Sequence, residues 1–264
     1  MTKLCIVGGL GRMGKMIASL VAARADLKIV SVWEVPEAID RTGDFAQATG
    51  YSKNPVSVLA NGRDAVAFAD VVVDFSLPQA FAEIVRACEE ASKPLVTGTT
   101  GIAAKESLLG PLARKAAVVS SPNMAVGVNA LFGMCDVVAR QIGGLSDIEI
   151  VETHHRTKKD VPSGTAIELG RIISGVTGKQ VALGRGGPGE LVIHSLRVGD
   201  VPGKHTVVFA LKGETIELTH TAQSRECFAQ GALLAARFAA KARPGLYSMR
   251  DVLASQQPEV GRVE

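Results

Sequence analysis

The sequence predicts an α/β protein whose N-terminal half is a doubly wound parallel sheet, followed by a region built on a different pattern. Three observations carry this reading. Short, continuously apolar strands alternate with amphipathic helices from Leu4 to Ser120, as in a sheet covered by helices on both faces. A glycine-rich turn joins the first strand to the first helix. Beyond Gly184 strand-like runs follow one another across short turns, which favours antiparallel pairing.

Leu4-Cys5-Ile6-Val7 is apolar throughout, as a strand buried on both faces must be. It feeds Gly8-Gly9-Leu10-Gly11-Arg12-Met13-Gly14, after which Met16, Ile17, Leu20 and Val21 recur at helical spacing. Gly9, Gly11 and Gly14 meet the G-x-G-x-x-G spacing. That spacing serves a tight turn, close approach of backbone to a pyrophosphate, and close packing of helix on strand. The next strand, Lys28 to Trp33, ends at Glu34, 20 residues beyond Gly14, where an acid can hold ribose hydroxyls. Glycine turns and exposed carboxylates are each common alone. Placed after a strand, before a helix and with the acid in register, they favour a Rossmann-type dinucleotide site.

Residues 35 to 55, with Pro36, Gly43, Gly50 and Pro55, read as loop. Asp70 to Ser76 is a buried strand, and a helix starting at Pro78 carries Phe81, Ile84, Val85 and Cys88 on one face. Leu95-Val96-Thr97 is a strand ending in Gly98-Thr99-Thr100-Gly101. A helix to about Lys115 and a strand Ala117 to Ser120 follow, ending in Ser121-Pro122-Asn123-Met124. Ligands meet such sheets at strand ends, so these small polar tips are candidates for the nicotinamide half of a cofactor. Turn chemistry explains Gly98 and Gly101 equally well.

A helix from Val126 to Ile142 leads to a strand from Asp147 to Thr153, which delivers His154-His155-Arg156-Thr157-Lys158-Lys159-Asp160. Pro162-Ser163-Gly164 breaks the chain, and Thr165 to Glu168 is a capping box for a helix to about Gly175. Free amides around Gly164 and Thr165, with three nearby cations, suit an anion such as a di- or tricarboxylate or a phosphate. A histidine beside that anion can move a proton near neutral pH. Singly, these residues are ordinary strand-end and loop residues; as a cluster before a helix N-terminus they form a site. The later runs Leu191–Val198, Thr206–Leu211 and Thr215–Thr221 make an antiparallel sheet with one face needing cover, a suggestion of oligomer contact. His194, His205 and His220 read as ordinary strand residues, and Phe228 to Ala240 as a helix.

Composition excludes several classes. At 264 residues and 47% hydrophobic content the chain buries a sizeable core. No apolar run approaches membrane-spanning length, and the N-terminus is no secretory signal. Net charge is +3 with 4% aromatics and scattered cations, so neither nucleic acid nor a membrane is an expected partner. Cys5, Cys88, Cys135 and Cys227 are far apart without a Cys-x-x-Cys pair. No metal site or disulfide framework is expected, and a reduced cytoplasmic setting fits.

Together these segments resemble the 4-hydroxy-tetrahydrodipicolinate reductase (dihydrodipicolinate reductase) family. The resemblance rests on Val7 to Gly14, Val73-Asp74-Phe75-Ser76, Gly98 to Gly101, Ser121 to Asn129, and above all the His-His-Arg-x-Lys-x-Asp-x-Pro-Ser-Gly-Thr run of 154–165. His220-Thr221-Ala222-x-Ser224-Arg225 and Phe228-Ala229-x-Gly231-Ala232 also match. It implies reduction of a cyclic 4-hydroxy imine dicarboxylate by NADH or NADPH with loss of water, in lysine and diaminopimelate synthesis. By position, His154 would be the proton donor/acceptor and Lys158 the second proton donor. His155, Gly164 and Thr165 would hold the substrate carboxylates. The dinucleotide would lie on Gly8, Gly9, Leu10, Gly11, Arg12, Met13, Glu34, Gly98, Thr99, Thr100, Ser121, Pro122, Asn123 and Met124. The resemblance further implies a homotetramer and an α+β substrate and oligomerisation domain, 126–240, with an open mixed sheet. The cofactor domain would be discontinuous, 1–125 and 241–264.

Val35 follows Glu34 where NADPH-preferring relatives commonly carry arginine. With only Arg12 to swing toward a 2′-phosphate, the expectation is tolerance of NADH and preference for it. Two rivals stand beside this reading. Another two-domain NAD(P)-dependent dehydrogenase would carry an acidic–lysine pair or nucleophilic cysteine in place of the 154–165 run. A non-catalytic nucleotide-sensing regulator would have lost His154 or Lys158.

Overall fold

A computed structural model of the chain describes residues 1–42, 44–187 and 189–256. The chain divides into two compact units, Met1–Met124 with Phe228–Glu264, and Ala125–Cys227.

The first unit runs β1 (Thr2–Val7), α1 (Arg12–Ala22), β2 (Leu27–Trp33), α2 (Pro36–Thr42), α3 (Phe45–Thr49), β3 (Ser57–Leu59), α4 (Gly62–Ala67), β4 (Val71–Asp74), α5 (Phe81–Glu90), β5 (Leu95–Thr97), a 3₁₀ segment (Ala103–Leu108), α6 (Leu109–Ala113) and β6 (Ala117–Ser120). The second holds α7 (Val126–Ile142), β7 (Asp147–His154), α8 (Gly164–Thr177), β8 (Val181–Leu183), β9 (Leu191–Arg197), β10 (Lys204–Leu211) and β11 (Glu214–Thr221). After α9 (Glu226–Ala239), β12 (Gly245–Tyr247) and α10 (Met249–Ala254) complete the first unit.

The first sheet has the order β12-β6-β5-β4-β1-β2-β3, with every pairing parallel. Its central strands bury both faces, and the side-chain alternation sorts them into two cores. Leu4, Ile6, Val71 and Val73 pack with Ile17 and Val21 of α1 and with Leu233 and Ala236 of α9. Cys5, Val7 and Val72 pack on the other face with Val66 of α4, Phe81 and Ile84 of α5 and Leu112 of α6. Because the inward face of α9 belongs to the first core, the first unit takes up the chain again at Phe228, upstream of 241. The four cysteines are free thiols.

Residues 35 to 55, expected as loop, contain α2 and α3. Two residues there are caps, and Gly43 lies outside the described residues. Asp44 accepts from the amides of Ala46 and Gln47, and left-handed Gly50 ends α3. Asn61 caps α4 in the same way. The helix expected up to Lys115 is a 3₁₀ segment and one short α-helix with Pro111 inside it, since proline removes an amide donor.

The second sheet is mixed, with order β11-β10-β7-β9-β8. The β10–β11 hairpin and the β7–β10 pair are antiparallel as read from the turns. However, β9 pairs in parallel with β7 and β8. The short link from β9 to β10 therefore spans across β7 rather than closing a hairpin, and β8 went unforeseen. No helix among the described residues is long and apolar enough to cross a membrane.

Candidate active site

In the first unit the glycine turn follows β1 as expected. Gly8 has a φ of +74°, open to glycine at little cost. A Cβ on Gly14 would lie 2.3 Å from the backbone of Gly9, and one on Gly9 would lie 2.6 Å from Val32. These contacts bring α1 directly onto β1 and β2. Gly11 caps α1 without any side-chain hydrogen bond, so the helix N-terminus is open to an anion. Leu10 N–H donates to Glu34 Oε1 at 2.8 Å.

Gly8, Leu10, Gly11 and Glu34 line one cavity of about 860 Å³. Arg41 of α2 and Ser76 beyond β4 line it too. Arg41 does not stand out in the sequence, because residues 35 to 55 read as loop; α2 brings this cation to the cavity that Glu34 also lines. Gly9 is buried beneath the turn, while Arg12 is exposed and Met13 half-buried at the start of α1. The cavity suits a dinucleotide: positive-φ turn, open helix end, and an acid at the end of β2.

Gly98, Thr99 and Thr100 do not line this cavity, but Thr99 is tied to it. Asp74, fully buried, accepts from Thr97 Oγ1 and Thr99 Oγ1, both at 2.9 Å, and from Ser76 Oγ at 2.6 Å. Thr100 is exposed. Gly98 packs so tightly on Phe75 that a Cβ would lie 2.4 Å from its ring. After β6, Ser121 Oγ donates to the Asn123 carbonyl at 2.8 Å. Pro122 is exposed and Met124 buried in the first core.

In the second unit, β7 buries every second residue: Ile148, Ile150, Glu152 and His154. His154, 7% exposed, thus ends an apolar stripe. Its Nδ1 hydrogen-bonds the carboxylate of Glu152. Arg197 of β9 grips Glu152 with both terminal nitrogens, at 2.8 and 2.9 Å. Ser163 N–H adds a fourth bond at 3.1 Å. Burial pushes the Glu152 carboxyl up, but hydrogen bonds from His154, Arg197 and Ser195 outweigh it and hold the group far below the usual carboxylate range.

His155 is half-buried, with Nδ1 bonded to Thr157 Oγ1 at 2.7 Å. Lys158 pairs with Asp160 at 2.9 Å. Helix α8 starts two residues before the expected box: Ser163 is its N-cap, accepting from Ala166 N–H at 3.2 Å. Gly164 and the buried Thr165 occupy the first turn.

His205, read as an ordinary strand residue, belongs to this cluster. Its ring lies 5.1 Å from that of His154, edge to face, and its Nε2 is 3.2 Å from Ser163 Oγ. Burial, and then the His154 ring, depress its pKa to about 3. His194 instead pairs with Glu149 at 2.6 Å on a partly exposed surface. Among the described residues no group of His, Cys, Asp and Glu is placed to hold a metal.

The comparisons agree with this geometry. The profile described as dihydrodipicolinate reductase, N-terminus, matches residues 2–124, and that described as dihydrodipicolinate reductase, C-terminus, matches 127–253. A 4-hydroxy-tetrahydrodipicolinate reductase of Anaeromyxobacter sp. (strain Fw109-5) is 41% identical, with 96% of this chain and 98% of that one covered. One from Halorhodospira halophila (strain DSM 244 / SL1) is 39% identical, covering 94% and 97%. Among solved structures, dipicolinate-bound dihydrodipicolinate reductase from Paenisporosarcina sp. TG-14 shares the fold, with a TM-score of 0.75 at 24% identity over 94% of this chain and 97% of that one. With the two profiles matching residues 2–124 and 127–253 and relatives of this identity along nearly its whole length, the chain belongs to the dihydrodipicolinate reductase family.

Proposed function

We propose that His154 and Lys158 handle the protons of the family's reduction, while the first unit holds the nicotinamide cofactor and the second, with its basic loop, holds the substrate. The chain is an NAD(P)H-dependent oxidoreductase of lysine and diaminopimelate biosynthesis. Its reaction converts 4-hydroxy-2,3,4,5-tetrahydrodipicolinate to tetrahydrodipicolinate with loss of water. The bound nicotinamide supplies the hydride. What supports the residue roles most is one juxtaposition: a buried, oriented imidazole at the end of β7, nine residues of basic loop, and then the first turn of α8.

In this reading the Gly164 and Thr165 backbone and the His155 ring take the substrate carboxylates, as charge-assisted hydrogen bonds to a helix N-terminus. An incoming carboxylate competes with Asp160 for Lys158, drawing the ammonium toward the ring to be protonated. Dipicolinate, carried by the relative from Paenisporosarcina, has the same pair of carboxylates and should occupy this place. In the first unit the dinucleotide would lie along Gly8 to Met13 with its ribose on Glu34. Gly98 to Thr100 and Ser121 to Met124 would serve the nicotinamide end. NADH is accepted, and Arg41 beside Glu34 gives NADPH a cation for its 2′-phosphate. A homotetramer, formed over the open second sheet, would cover the exposed Ile216, Leu196 and Val198.

The test is turnover of freshly generated 4-hydroxy-tetrahydrodipicolinate by Lys158→Ala and His154→Gln. Both should lose about 10²- to 10⁴-fold, the scale of a positioned acid, while still binding NADH. Unchanged turnover in both overturns the assignment.

A further inference from the structure

We infer that Glu152 is the positioning residue of this reaction, holding His154 in the one tautomer whose outer nitrogen can carry the proton. The inference rests on the reading of His154 as proton carrier.

Glu152 is completely buried on the same stripe as His154, two residues earlier in β7. An ionised carboxylate can only accept hydrogen bonds. The contact between Nδ1 and Oε2 therefore places the ring hydrogen on Nδ1 and leaves the lone pair of the neutral ring on Nε2. That nitrogen is kept clear by Gly203: a Cβ there would lie 3.0 Å from it, so any side chain at 203 would cover it. When Nε2 takes a proton, the positive ring lies against an anion. When it gives the proton to substrate, the electron pair stays on Nε2 and the Nδ1–H bond to Glu152 is untouched.

Charged and titratable groups around the pair come from three further places. Arg197 approaches from β9, His205 from β10, and Lys158 from the loop after β7. Arg197 balances the charge of Glu152, whose burial would otherwise be costly. Were the pair only structural, one oxygen on each terminal nitrogen would complete it. Instead Oε2 is shared between Arg197 and His154, and Oε1 between Arg197 and the amide of Ser163. Ser163 is the N-cap of α8. One carboxylate thus sets the imidazole in register with the helix end that receives the substrate.

The experiment is ¹⁵N NMR of the full-length enzyme labelled at histidine, with the His154 ring assigned by its loss in His154→Gln, together with steady-state kinetics of Glu152→Gln and Glu152→Asp. The wild type should show the Nδ1–H tautomer at His154. Glu152→Gln, whose amide can donate as well as accept, should lose that preference and about 10²-fold or more in kcat, with NADH and dipicolinate affinities retained. Glu152→Asp should recover part of the rate. An Nε2–H tautomer in the wild type, or wild-type kcat in Glu152→Gln, overturns the proposal. If Glu152→Gln does not fold, the wild-type tautomer decides alone. Full turnover in His154→Gln would overturn the proton-carrier reading instead, a failure that the tautomer measurement does not share.

Discussion

The backbone amide of Leu10 donates to the Glu34 carboxylate at 2.8 Å, so the acid at the end of β2 braces the glycine turn as well as bordering the cofactor cavity. Oε1 is engaged by the turn, and the remaining lone pairs can accept from ribose hydroxyls. A 2′-phosphate would meet this anion directly, with Arg41 lining the same cavity as a counterweight. Hydrogen bonds to charged groups contribute about 1.5–3 kcal/mol, and about 1.4 kcal/mol is tenfold. Glu34→Gln should therefore cost NADH about 10-fold or more in kcat/KM while raising the NADPH/NADH ratio. Arg41→Ala should lower the NADPH value by a similar factor and spare NADH. Steady-state assays with both cofactors on the three proteins check this; a ratio that neither substitution moves would remove both residues from cofactor choice.

Gly14 allows the first turn of α1 to lie on Gly9, and a methyl group there would stand 2.3 Å from backbone atoms that cannot rotate away. Overpacking of this sort costs about 1–3 kcal/mol. Gly14→Ala should lower the urea midpoint and weaken NADH binding together, because the displaced element is the turn itself. A variant of wild-type stability that binds NADH normally would show the contact to be dispensable.

The central strands of the first sheet can be read from sequence because they are buried on both faces and announce themselves as apolar runs, as Val71-Val72-Val73 does, whereas the short, partly exposed edge strands β3 and β12 carry no such run. The helix α7 was legible to the residue, from Val126 to Ile142. What escaped was set by distant pairing. Parallel placement of β9 beside β7 depends on which edge the chain meets after Gly184 to Gly189, and no local pattern encodes that. The Asp44 cap lies in a stretch that reads as loop, since the residues that start short helices also make turns. His154 and Lys158 stood out by clustering, whereas Arg197 and His205 reach the same place from strands 40 or more residues away. Glu152 did leave a signal: in a strand of period two it occupies the apolar face, where an unpaired carboxylate would be costly.

His205 makes stability depend on pH in a definable window. Burial first, and the His154 ring second, lower its pKa to about 3, against about 6.5 in the unfolded chain. Between these values the unfolded state binds a proton that the folded state refuses. The stabilisation is thus complete above about pH 6.5 and is lost as pH falls toward 3, by up to about 1.4 kcal/mol per unit. Glu152 acts with the same sign, its contribution fading only in acid below the ordinary carboxylate range. Urea unfolding at pH 7.5 and 5 should show the wild type losing about 2 kcal/mol more than His205→Asn. Equal losses would mean that His205 is protonated in the folded protein.

Asp74 closes β4 with no exposed surface, and its carboxyl gathers the hydroxyls of Ser76, Thr97 and Thr99 with the Ser76 amide. It therefore joins the tip of β4 to the tip of β5, where Gly98-Thr99-Thr100 begins. In Asp74→Ala the hydroxyls of Thr97 and Thr99, 1% and 5% exposed, lose their acceptor, at a cost of about 1–3 kcal/mol for each group left unpaired. Asp74→Asn is gentler, because one amide oxygen still accepts and a hydroxyl can turn to accept from the amide nitrogen. The expected order of urea midpoints is wild type, then Asn, then Ala. NADH affinity should fall in the same order, since the nicotinamide end of the site hangs on Thr99. If Asp74→Ala were less stable but bound NADH as the wild type does, the β5 tip would be excluded from the cofactor site, and Ser121 to Met124 would be left to hold the nicotinamide.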